Sequence, residues 1–284
     1  MRTTPLHPDF GVEILDFDLS NVREDSGYPE IRAAFEEHSL LLFRAQTMDD
    51  DDILRLGRCF GEIENRTDGP ISVPRVSNVL PDGSVLKPDA MRLKDLKSNM
   101  LWHTDSTFLP TPALANIITA RIVPSEGGAT ELVSTRAGFA RLPETLKEKA
   151  RCAKLRHALA HSRAKIDPDL AKAAHIAKWE ATCWPAVWTN PVHGKEALYI
   201  ASHAFAVDGM DDAEGQALID HLIELMVPEN AIYSHQWRVG DVLIWDERAT
   251  LHRGMPWPYE QARELASICV TASDDDGVTK MRAA

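Results

Sequence analysis

The chain is short of cysteine and of positive charge. Its four cysteines, Cys59, Cys152, Cys183 and Cys269, are scattered through 284 residues without a CxxC pair. That pattern argues against a disulfide framework and reads as free thiols in a reducing compartment, hence a cytoplasmic protein. Lys and Arg number 31 against 43 Asp and Glu, a formal net charge of −12. So acidic a chain is poorly suited to a nucleic-acid backbone or an anionic membrane surface. No run approaches the roughly 18 apolar residues of a transmembrane helix. The opening Met-Arg-Thr-Thr-Pro-Leu-His-Pro lacks the apolar stretch of a secretory signal. Internal repeats, low-complexity tracts and a dividing linker are missing too, so one domain over 1–284 is expected. What is present is ordinary globular material: 44% hydrophobic and 26% charged residues, enough for a sizeable core.

The acidic run Asp49–Asp52 precedes the apolar-periodic stretch Ile53–Phe60. Together they predict a helix over 49–60 with carboxylates at the positive end of its dipole; a solvated acidic loop is the alternative. A helix over Pro29–His38 runs into Ser39-Leu40-Leu41-Leu42-Phe43, a buried-strand pattern. Pro81-Asp82-Gly83-Ser84 marks a turn. Strands are expected over 114–123 and 130–133, separated by Glu126-Gly127-Gly128, and later over 197–201, 232–237, 242–245 and 265–271. Helices are expected over 142–155 and 211–226. The fold class is therefore mainly β with helical decoration, a sandwich or barrel. The 211–226 helix has an apolar face that packs either on a second copy, giving a homo-oligomer, or on the sheet.

The chemistry concentrates in two places. In Leu101-Trp102-His103-Thr104-Asp105-Ser106, residues two apart on extended backbone share a face, so His103 and Asp105 can address one point. Alone, an HxD pair is a weak signal and reads first as a core-edge histidine beside a capping aspartate. Far along the chain, Gly240–Asp246 reads as a strand and Leu251-His252-Arg253-Gly254 as the start of the next, which puts His252 at a sheet mouth. Two histidines and one carboxylate make a facial triad that leaves positions open on a non-haem Fe(II). Arg263 follows in Ala262-Arg263-Glu264-Leu265; alone it reads as a surface charge.

With these pieces in order, the sequence resembles the Fe(II)/α-ketoglutarate-dependent dioxygenases of the taurine dioxygenase and chlorophenoxyacetate dioxygenase family. The matching segments are LWHTDSTF (101–108), VPSEGGATEL (123–132), GDVLIWDERATLHRG (240–254) and ARELA (262–266). Weaker similarity in LLLFRAQ (40–46), FGEIE (60–64) and SNVLPDG (77–83) extends it over nearly the whole chain. The resemblance implies a double-stranded β-helix (jelly roll) with His103, Asp105 and His252 as iron ligands. It implies that Arg263 pairs with the distal carboxylate of α-ketoglutarate and that Thr130 donates a hydrogen bond to it. It further implies O₂ as second cosubstrate, and hydroxylation of a small organic molecule with release of succinate and CO₂.

One position departs from the family pattern. Members acting on small acidic substrates carry a second Arg four residues after the cosubstrate Arg, on the same strand face; here that position is Ser267. The substrate is then carboxylate-bearing and held by another cation, aryloxyalkanoate-like molecules included, or less acidic at that end. Candidate cations are Lys87, Arg92, Lys94 and Lys97, each equally a solvated charge. His203 lies in a stretch resembling a substrate-adjacent segment. His157 and His161, four apart, fit one helical face but lack the Glu of HExxH and read as structural. Trp179, Trp184 and Trp188 read as core packing before an aromatic wall. Two other functions stand beside the oxygenase: a Zn²⁺ hydrolase, which gives Arg263 and Thr130 no task, and a jelly-roll binding module without turnover.

Overall fold

The computed structural model describes residues 1–67 and 69–283. In chain order the strands are β1 (Arg2–Pro5), β2 (Val12–Leu15), β3 (Leu40–Phe43), β4 (Arg75–Ser77), β5 (Ala113–Ile122), β6 (Thr130–Ser134), β7 (Lys154–His157) and β8 (Thr182–Pro185). There follow β9 (Val187–Thr189), β10 (Glu196–Leu198), β11 (Ala204–Val207), β12 (Tyr233–His235), β13 (Val242–Asp246), β14 (Thr250–Gly254) and β15 (Glu264–Thr271). The helices that matter here are α1 (Tyr28–His38), α2 (Asp50–Phe60), α3 (Met91–Ser98), α4 (Thr135–Arg141), α5 (Glu144–Cys152), α6 (Leu159–Ala164) and, after two single-turn pieces, α7 (Asp212–Met226).

A seven-stranded sheet runs β1-β2-β3-β13-β5-β15-β4, and a smaller sheet runs β12-β6-β14. Strands distant in sequence interleave, β13 sitting between β3 and β5, and the two sheets form the jelly roll. The centre of the larger sheet is buried on both faces, which explains the continuous Leu-Leu-Leu-Phe of β3. Leu40, Leu42, Leu243, Trp245, Ile118 and Leu265 face the smaller sheet and meet Leu132 of β6. Leu41, Phe43, Val242, Ile244, Ile117 and Ile268, one residue out of phase, pack beneath α1 and α2. That alternation sends Asn116 of β5 and Ser267 and Cys269 of β15 to the inner face, with the functional site.

The acidic run is the start of a helix, as its composition predicts. Asp49 caps α2 and forms a reciprocal capping box with Asp52. The apolar face of α7 covers the β-structure, with Leu218, Ile219, Leu222 and Met226 packed on Val133, Leu251 and Phe139.

Several expectations shift. The helix expected over 142–155 is α5 and stops at Cys152. Lys154-Leu155-Arg156-His157 alternates exposed and buried, and that period of two makes it β7. Ser39 is the left-handed cap of α1, not the first strand residue. Strands expected over 197–201 and 232–237 shorten to β10 and β12. His157 ends β7 whereas His161 lies in α6, so they share no helical face. Trp184 and Trp188 belong to the main core and Trp179 packs against Phe108. No helix among the described residues is long and apolar enough to cross a membrane.

Candidate metal and cosubstrate site

His103 and His252 meet through backbone pairing. The His103 N–H donates to the His252 carbonyl at 3.0 Å, and the His252 N–H to the His103 carbonyl at 2.8 Å. This bridge closes the long sequence separation that spacing alone left open. Asp105 completes the group: its Oδ1 lies 3.8 Å from His103 Nε2 and its Oδ2 3.8 Å from His252 Nε2. All three ligand atoms fall within 4.8 Å of one another. Immediately after Asp105 the chain turns through Ser106 in the left-handed region, φ 62°. Thr104 Oγ1 anchors the turn by donating to the Thr250 carbonyl at 2.7 Å.

The electrostatics favour a cation among these atoms. Burial depresses both imidazoles, His252 to about 3, so both are neutral near pH 7. Burial works against the Asp105 charge, yet its coupling to the His252 and His103 sites, the Arg66 guanidinium and the Asn116 amide hold its carboxyl below the usual range, so the proton of the group is lost from Asp105 while the imidazoles stay neutral. His103 Nδ1 sits 2.6 Å from the Leu101 carbonyl. A carbonyl only accepts, so Nδ1 carries the hydrogen and Nε2 turns its lone pair toward Asp105 and His252. Asp105 Oδ2 accepts from Asn116 Nδ2 at 2.8 Å, and Ser267 Oγ donates to Asn116 Oδ1 at 2.9 Å.

Next to Gly128, just ahead of β6, the strand that pairs with β14 and its His252, lies a guanidinium without a carboxylate partner among the described residues. Arg263 is 4% exposed, and no carboxylate among the described residues forms an ion pair with it. Burial lowers it to about 10. Its Nε and Nη2 donate to the Gly128 carbonyl at 3.1 and 2.9 Å, and its charge lies over the Trp257 ring. The Gly-Gly pair exists for this approach. A Cβ on Gly128, at φ 68°, would lie 3.0 Å from Arg263 Nε, and one on Gly127 would lie 2.6 Å from the Pro256 carbonyl. Thr130 Oγ1 accepts from Trp237 Nε1 at 3.0 Å, which leaves its own hydrogen to donate elsewhere. A buried, uncompensated cation is costly, and an anionic ligand removes that cost.

The remaining expected residues divide. His203 is 2% exposed, its ring 6.0 Å from that of His103 and 5.1 Å from Phe108. Ser267 is buried and committed to Asn116, so it faces the site as a support. Lys87 and Arg92 are exposed. Lys94 is ion-paired with Asp167 at 2.5 Å, and Lys97 lies over the Tyr259 ring. None of these four touches the triad among the described residues. The cation that does reach this side was missed: Arg66 pairs with Glu64, donates to Ser106 Oγ at 3.1 Å and lies over the Phe108 ring. Asn116, Trp237 and Glu247 were missed as well. Asn116 and Glu247 stand out in sequence only as polar residues within apolar strand patterns.

Comparison with known proteins agrees with this geometry. The family model described as "Taurine catabolism dioxygenase TauD, TfdA family" matches residues 2–269. The α-ketoglutarate-dependent 2,4-dichlorophenoxyacetate dioxygenase of Cupriavidus pinatubonensis is 34% identical over 274 residues, covering 92% of this chain and 94% of that one. The (S)-phenoxypropionate/α-ketoglutarate-dioxygenase of Sphingobium herbicidovorans is 33% identical, covering 91% of each. Among solved structures, AAD-2 in complex with Mn(II) and N-oxalylglycine superposes with a TM-score of 0.89 at 27% identity, covering 96% of this chain and 98% of that one.

Proposed function

The chain belongs to the taurine catabolism dioxygenase TauD, TfdA family, and from that premise we propose that it hydroxylates a small carboxylate-bearing aryloxy substrate at the site above. The observation that carries this is that one chain holds both a His/Asp/His cluster and a buried Arg263 with no carboxylate partner among the described residues. A hydrolase needs the cluster but has no use for the unpaired guanidinium. A binding module needs neither.

His103, Asp105 and His252 would hold Fe(II), which with α-ketoglutarate and O₂ would supply oxidative decarboxylation to succinate and CO₂ coupled to oxygen insertion into a substrate C–H bond. The chain's own residues bind and orient. Two neutral imidazoles and one anionic carboxylate give the donor set and leave the remaining positions to cosubstrates. Arg263, oriented by Gly128, takes the distal carboxylate of α-ketoglutarate, and Thr130, oriented by Trp237, donates to the same group. The mostly apolar interior around Leu132 and Trp245 excludes water. Where the hydroxylated carbon bears an ether oxygen, the hemiacetal collapses and the ether is cleaved.

The substrate reading rests on the relatives' phenoxyacetate and phenoxypropionate substrates and on Arg66. With Ser267 neutral, Arg66 over Phe108 offers a guanidinium that Glu64 would share with a substrate carboxylate, together with an aromatic face for a ring. Incubating the Fe(II) enzyme with α-ketoglutarate and phenoxyacetate or 2-phenoxypropionate should yield succinate and phenol in equal amounts. R66Q should raise KM for these acids about tenfold or more, leaving KM for α-ketoglutarate unchanged. Succinate without phenol across the panel would overturn the substrate class. The whole chain, 1–284, acts as one catalytic unit in this reading, and its four free thiols fit a cytoplasmic setting.

A further inference from the structure

We propose that Glu247 is a positioning residue for the metal centre, holding Asp105 and His252 together from behind. The assignment rests on the metal-site reading above and extends it to a carboxyl group given no task there.

Glu247 is 0% exposed and directly follows β13. A fully buried acid needs a reason, because its oxygens must all be satisfied and its charge costs far more than an apolar side chain. Its Oε1 accepts from Trp245 Nε1 at 2.7 Å, and its Oε2 accepts the backbone N–H of Asp105 at 2.9 Å. The same Oε2 faces His252 Nδ1 at 4.0 Å. That nitrogen is a buried polar atom without any hydrogen-bond partner. Trp245, fixed by Glu247, lies against the His252 ring with centroids 4.7 Å apart.

The other two ligands already have their outer partners: His103 Nδ1 has the Leu101 carbonyl, and Asp105 Oδ2 has Asn116. Only His252 is without one, and Glu247 is the ionisable acceptor that faces its free nitrogen. An acceptor at Nδ1 fixes the tautomer that turns the Nε2 lone pair inward, and such outer contacts carry about 10–100-fold in metal affinity. The Asp105 amide contact adds a second function, since it sets the strand-to-turn geometry that aims the carboxylate. Glutamine cannot replace it. An amide offers one oxygen where three donors converge on two, so E247Q turns an NH₂ group against an N–H.

The test is Mn(II) binding by calorimetry on the full-length protein without cosubstrate, with thermal melting alongside. H252A should lose binding, and E247Q and E247A should raise Kd about 10–100-fold. E247Q preserves volume, so it reports even if E247A fails to fold. In the Co(II)-loaded protein, the exchangeable His252 Nδ1–H proton resonance should vanish or shift in E247Q while that of His103 stays. A lowered Tm with wild-type Kd and an unmoved resonance would overturn the assignment and leave Glu247 a packing residue. Failure of the wild-type protein to bind Mn(II) would overturn the metal site itself, and this assignment with it.

Discussion

At Arg263 and Thr130 the same economy appears twice: a neighbour satisfies part of the side chain and leaves the rest for the cosubstrate carboxylate of the proposed function. The Gly128 carbonyl takes two guanidinium hydrogens, and Trp237 Nε1 takes a lone pair of the Thr130 hydroxyl. Trp237→Phe keeps the ring but removes the donor, so the Thr130 hydrogen is no longer directed. We expect the Kd for α-ketoglutarate to rise about fivefold, near 1 kcal/mol, with Mn(II) affinity unchanged; equal cosubstrate affinity in the variant would show that Trp237 only packs. The carboxylate and imidazoles of the site were legible in the sequence because HxD and the distal His fall in matched segments. Arg66 was not, because nothing in Glu-Asn-Arg-Thr distinguishes a cation folded back over Phe108 from one in solvent. Lys87 and Arg92 show the converse, standing near the motif in sequence yet exposed.

Among the elements, β7 teaches most. Its Lys-Leu-Arg-His pattern continued a helical stretch in composition, but burial of Leu155 and His157 with exposure of Lys154 and Arg156 fixes a strand. His157 is fully buried with both ring nitrogens unpartnered, and burial lowers it from 6.5 to about 3. Because the folded value lies below the unfolded one, the unfolded chain takes up the proton first. Stability is therefore full above about pH 6.5 and falls as pH drops toward 3. The share from this one group is on the order of 4 kcal/mol when fully developed. His157→Leu should flatten that part of the urea-denaturation pH profile while changing stability near pH 7 little. A profile as steep as wild type would assign the acid sensitivity elsewhere. The central strands β3, β5, β6, β13 and β15 and the helices α1, α2 and α7 were readable from period and turn residues, whereas β1, β2, β7, β8, β9 and β11 were not. The short helices after β7 were not, since pieces of four to six residues carry too little periodicity.

For the whole molecule, a buried ionic network ties the ends of the chain to the strands of the site. Arg248 is 1% exposed and donates to Asp246 at 2.8 and 3.0 Å and to Glu36 of α1 at 2.8 Å. Arg32 joins Glu36 to Asp276 near the C-terminus. This network sits next to Glu247, so it fixes the turn between β13 and β14, the strand that carries His252. Arg248→Met leaves Asp246 and Glu36 without their shared cation. We expect a loss of about 3–5 kcal/mol in denaturant unfolding; a loss below about 1 kcal/mol would mean that Arg32 at Glu36 and Arg136, 3.7 Å from Asp246, compensate.

In the proposed function the His/Asp/His cluster and the buried Arg263, which has no carboxylate partner among the described residues, serve one bound pair, Fe(II) and α-ketoglutarate. The direct test is an anaerobic titration of the metal-free protein with both, followed by the weak visible charge-transfer band of their chelate. We predict a saturable band that is absent in His252→Ala and needs on the order of 100-fold more α-ketoglutarate in Arg263→Ala. A folded, metal-loaded protein that shows no band, or an Arg263→Ala variant that titrates like wild type, would contradict it.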